Sequence, residues 1–195
     1  VSAKRLEAIE QLWKACLVIR ESIPTPISMI LTILPEEYVT MDYLNTPNPK
    51  GIEFGKELSK LDIRSVSPAL EATKPIEQLR PFIPTDLYTL YKTYTGVIVG
   101  AVFNTITKYE KGTVTHWKNE EPMKKLLSGV LTEKEIDHIY GLTFESFKTL
   151  LDLMELKIIE CINRNTVGPG TTSNSLEELL KLEAVFKFNK ESKGA

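Results

Sequence analysis

The sequence predicts an all-α fold, an irregular bundle of eight or nine helices around a central helix at about 85–111. Three observations predict it. Leu87, Tyr91, Tyr94, Ile98, Ala101 and Thr105 recur at alternating spacings of four and three, one face of a helix. Val97, Val99, Val102, Phe103 and Ile106 fill its other faces, so its middle lacks a polar side and belongs among other helices. Capping residues and glycine stops divide the flanking chain into further short amphipathic segments.

The first helix spans about 2–22. Leu6, Ile9, Trp13, Cys16 and Arg20 form its stripe, widened by Leu12, Leu17 and Ile19, and Pro24 and Pro26 end it. An apolar run at 27–34 reads as a short buried helix, and Pro35 opens another to about 44. Residues 45–51 are all turn formers and read as a loop; 52–61 makes a short helix with Phe54 and Leu58 inward. Between 62 and 75 the pattern is weak, with prolines at 68 and 75, and loop with a turn or two of helix is expected. Pro81 and Pro84 pin an extended lead-in to the central helix.

The β-branched run from Val97 has a rival reading as a hairpin over 97–117, turning at Glu110-Lys111-Gly112. The helical spacing from Leu87 onward and the helix stop at Gly112 favour the helix. Gly96 and Gly100 lie four apart on it, so helix packing at close range is expected at both, and Gly100→Leu is expected to overpack.

Asn119 to Pro122 opens the next helix, with Asn119 as its cap, and Gly129 closes it. Thr132 with Glu135 forms a capping box for a short helix to Gly141. From Thr143 the cleanest amphipathic segment carries Phe144, Phe147, Leu151, Met154, Ile158 and Cys161. A linker at 165–174, with Gly168-Pro169-Gly170, precedes a C-terminal helix at 175–188 whose stripe is Leu176, Leu179, Leu180, Leu182, Val185 and Phe186. That helix docks either on its own core, or on a second copy or a partner through a helix-in-groove contact. The whole, 1–195, reads as one all-helical domain.

The 195 residues are 42% hydrophobic and 26% charged with net charge −2, which excludes wholesale disorder and disfavours nucleic acid as a partner. No apolar run reaches the roughly 20 residues of a membrane span. Cys16 and Cys161 fall on apolar faces as reduced thiols, which places the protein in the cytoplasm. The chain opens on Val1 rather than Met, as a fragment of a longer protein does.

Candidate chemistry is sparse. Glu135-x-x-His138 puts a carboxylate and an imidazole on one helix face, but the matching pair of a dimetal bundle is missing, because Thr113 stands three before His116. The alternative is a surface acid beside a partly exposed histidine. Two Cys and two His at 16, 116, 138 and 161 lack the paired spacing of a zinc site, and no nucleophile elbow is present. No metal and no cofactor are therefore expected. His116-Trp117-Lys118 is an aromatic-basic cluster suited to a ligand, or a tryptophan sealing the core edge. Tyr88, Tyr91 and Tyr94 line a pocket or pack inward with hydroxyls at the rim. The candidate contacts are Tyr91, Tyr94, His116, Trp117, Glu135 and His138.

With no coherent catalytic set, the expected function is a non-enzymatic protein-interaction or regulatory module, its partner a protein, self or other. A hydrolase, including one directed at nucleic acid, with a site assembled from distant residues is the alternative. A carrier of an apolar ligand is the second.

Overall fold

The structure is a computed structural model; it describes residues 2–33, 44, 49–167 and 175–191, with backbone only at 49–52, 175 and 185–191. Nine α-helices and no strand occur among the described residues: α1 (Ala3–Glu21), α2 (Thr25–Ser28), α3 (Pro49–Ser59), α4 (Ser67–Leu79), α5 (Thr85–Glu110), α6 (Glu121–Ser128), α7 (Glu133–Gly141), α8 (Ser146–Thr166) and α9 (Ser175–Glu191). Between 97 and 117 the chain is thus helix as far as Glu110, and the hairpin does not form. The helices expected at 35–44, most of the loop at 45–51, the linker from 168 and the tail beyond 191 lie outside the described residues.

The central helix α5 packs against α1, α6 and α8, and α1 also runs along α4. All six residues of the α5 stripe are buried, with Val97, Val102 and Ile106 beside them. Phe103 is exposed, so α5 is not enclosed on every side. It ends where Gly112 takes φ +69°, a conformation that glycine adopts without penalty.

The side chain of Ser2 caps α1. Its buried face is Ala8, Ile9, Leu12, Ala15, Cys16 and Ile19, while Leu6 and Leu17 are exposed. The buried face takes in Ala8 and Ala15, which the expected stripe did not include. Beyond Pro24 the chain turns by 86° into α2, which continues as a π-helical turn, Met29–Ile33. No single described helix is long and apolar enough to cross a membrane.

Four expectations are corrected here. Residues 49–51 belong to α3, with Pro49 opening the helix where its missing N–H costs nothing. Residues 62–75 are not loop: a 3-10 turn, Ile63–Val66, capped by Asp62 and Ser65, leads straight into α4, which runs through Pro75. Burial of Ala69 and Ile76 against the core offsets the hydrogen bond that Pro75 forgoes. The lead-in is a 3-10 turn over Arg80–Phe82, and the extended backbone expected there is confined to Ile83 and Pro84. Finally, α8 begins at Ser146, and Glu145 before it has φ 53°, so Phe144 lies outside the helix and is 63% exposed. The other five residues of its expected stripe are buried.

Capping followed the sequence at α7, where Thr132 and Glu135 satisfy each other's backbone N–H groups. At α6 the cap is Glu120 and not Asn119, which is taken up in the 3-10 turn Trp117–Asn119.

Candidate functional site

A polar knot joins α1, α5 and α8. Arg20 donates to Glu155 through Nη1 and to Asp152 through Nη2, each at 2.7 Å, and the Tyr94 hydroxyl donates to Glu155 Oε1 at 2.6 Å. Arg20 sits on the α1 stripe, where a guanidinium is tolerated only if acids meet it. Burial and the Glu155 charge push the neighbouring Cys16 thiol up to about 12, so it stays protonated. Sequence reasoning missed this knot, although an arginine within an apolar stripe was its visible signal.

Tyr91 and Tyr94 are both fully buried, hydroxyls included, rather than holding their hydroxyls at a rim. Burial raises both phenols well above their usual range. The tyrosine at the rim is Tyr88, whose hydroxyl donates to Glu77 Oε2 at 2.6 Å beneath the Arg80 guanidinium.

His116 and Trp117 are buried as well. His116 Nδ1 accepts from the Lys118 backbone N–H, starting the 3-10 turn, and Trp117 packs edge-on against Tyr140 and Phe147. This tryptophan seals the core. Lys118 is drawn inward too, donating to the carbonyls of Tyr140 and Leu142 at the end of α7. Beside Trp117 a cavity of about 10 Å³, room for one water, is lined by Asn104, Thr105, Lys108, Thr115 and Glu120. Lys108 and Thr115 both donate to Glu120, holding its carboxyl below the usual range against the opposing effect of burial.

Glu135 and His138 part company. Glu135 is 4% exposed, not a surface acid, and pairs with Lys157 of α8 at 2.8 Å. His138 turns instead to α9, its Nε2 lying 3.6 Å from Glu183 Oε2. That nitrogen is buried and makes no hydrogen bond among the described residues.

The second thiol, Cys161, donates to Asp86 Oδ2 at 3.2 Å, with Asn165 and Arg164 on the same carboxylate. Burial and the Asp86 charge push Cys161 up to about 11. Neither cysteine is bridged.

The six candidate residues therefore occupy three places: Tyr91 and Tyr94 inside α5, His116 and Trp117 at the core edge, Glu135 and His138 around α7. No three His, Cys, Asp or Glu side chains converge on a metal position among the described residues. A shallow hollow of about 410 Å³ is lined by Leu58, Leu61, Ile106, Tyr109 and Glu110.

Helix α9 packs along α8. It buries Leu179 to 3% and half-buries Leu176, but leaves Leu180 and Leu182 44% and 47% exposed. Comparison with protein-family models, curated proteins and solved structures finds no match.

Proposed function

We propose that the protein is a non-enzymatic interaction module whose exchangeable element is α9 and whose partner is a second copy of the chain. The observation that carries this reading is the shallow seat of α9. Among its described side chains one leucine is fully buried, one is half-buried, and two more face outward. A fully buried leucine contributes about 1.5–3 kcal/mol, so the described part of this seat is weaker than the core; Val185 and Phe186 of the expected stripe lie outside the described side chains. Opening bares an apolar helix face and the groove it left, and these complement each other between copies as well as within one. The outward Leu180 and Leu182 add apolar surface that exchange can bury. The two unbridged thiols, both held protonated by burial, support a reducing compartment such as the cytoplasm.

Mixing isotopically heavy and light full-length copies, followed by short lysine–carboxylate cross-linking, tests the reading. Exchange predicts heavy–light links between α9 and α7 or α8 that increase with protein concentration. Links only within like-labelled chains, from a species that sediments as a monomer at high concentration, overturn it.

A further inference from the structure

The contact between His138 and Glu183 is the polar tie between α7 and α9, and as found it is unfinished. Nε2 and Oε2 face each other at 3.6 Å, beyond hydrogen-bond length, with each side chain about a quarter exposed. An imidazole that carries no proton on Nε2 presents a lone pair to a carboxylate there, two acceptors opposed. A protonated imidazole presents a charged N–H to the same oxygen.

We propose that His138 and Glu183 form a proton-operated latch, which tightens α9 against the helical core when His138 becomes a cation. Several other charges around α7 are already engaged. Lys157 of α8 is taken up by Glu135, and Lys118 by the carbonyls of Tyr140 and Leu142. Lys124 of α6 stands over the Tyr140 ring, and the charge of Glu121 bears on the Tyr140 hydroxyl. Lys134 and Asp137 lie on α7, Glu160 on α8 has a partner of its own, and α9 carries Glu177, Glu178 and Lys181 beside Glu183. Within ion-pair distance of His138, Glu183 is the acid among the described residues.

The sign follows from the charges. Histidine takes up a proton between about pH 8 and 5, and glutamate gives up its negative charge near pH 4. The latch therefore tightens when the imidazole takes up a proton and loosens when the imidazole is neutral or the carboxylate is protonated. A pair this exposed changes the opening equilibrium of α9 by about two- to fivefold.

The latch goes beyond the exchange reading, since it governs docking of α9 whether the groove belongs to the same chain or to another. Amide hydrogen exchange of α9 in the full chain, corrected for intrinsic rates, tests it across pH 5 to 8 with the α5 amides as folded control. Protection of α9 is expected to be about two- to fivefold greater at the acidic end in the native chain, and flat with pH in Glu183→Gln and His138→Gln. Flat protection in the native chain, or a pH dependence that survives Glu183→Gln, overturns the latch. A pH-dependent protection without heavy–light cross-links leaves the latch standing and removes the exchange reading instead.

Discussion

Gly96 and Gly100 lie one turn apart on the same helix, yet substitution should affect them differently. Among the described residues outside the helix's own backbone, a methyl group built on Gly100 meets no atom within 4 Å, whereas one on Gly96 sits 3.3 Å from Leu126 Cδ2. Glycine inside a helix costs about 0.5–1 kcal/mol relative to alanine, because the unfolded chain loses more freedom on ordering. With no clash to offset that gain, Gly100→Ala should stabilise by about 0.5–1 kcal/mol, roughly 1–4 °C in melting temperature for a chain of this length. Gly96→Ala should fall short of it, since Leu126 must give by a few tenths of an ångström; Leu126 is 38% exposed and able to yield. Among the described residues the close approach expected at both glycines is seen at Gly96, and a methyl group at Gly100 should not overpack. Thermal and urea unfolding followed by far-ultraviolet circular dichroism measures the pair. A Gly100→Ala chain that melts lower than the native protein would show that another part of the chain covers that face, and the argument from open space would fail.

Glu155→Gln should destabilise by about 1.5–3 kcal/mol, because Arg20 and Tyr94 both lose a charged acceptor in a site where Glu155 is only 16% exposed. A lower urea midpoint at unchanged slope would show it, and an unchanged midpoint would remove the knot from the fold's energetics. Both thiols should resist a disulfide reagent in the native protein at mildly alkaline pH, since Cys16 at about 12 and Cys161 at about 11 carry almost no thiolate there. Both should react once urea unfolds the chain; rapid native labelling of either would contradict its burial.

The sequence carried the parts of the fold that local periodicity can express. The stripe from Leu87 to Thr105 and the stripe from Phe147 to Cys161 needed only spacing, because each helix offers one continuous apolar face. The Thr132 box and the stop at Gly112 needed only the chemistry of neighbouring residues. What stayed hidden depended on distant chain. Pro75 reads as a break until α1 is in place to bury Ile76. Phe144 fits the spacing of α8 but precedes it, because Glu145 leaves the helical region and donates its N–H to Thr32 across the fold. The candidate residues followed the same division: Glu135 and His138 share a helix face by spacing, but their partners on α8 and α9 separate them.

The Arg20 knot also bears on the order in which the protein can be made. The two acids that meet Arg20 lie 132 and 135 residues further along the chain. At a translation rate of about 5–20 residues per second, some 7–27 s separate synthesis of the arginine from synthesis of Glu155. Throughout that interval α1 can rest against α4 and α5, but its guanidinium stays in water or with temporary partners. The ion pairs of Arg20 therefore wait for α8, and a ribosome paused before residue 152 would hold a nascent chain whose first helix is made but lacks both acids.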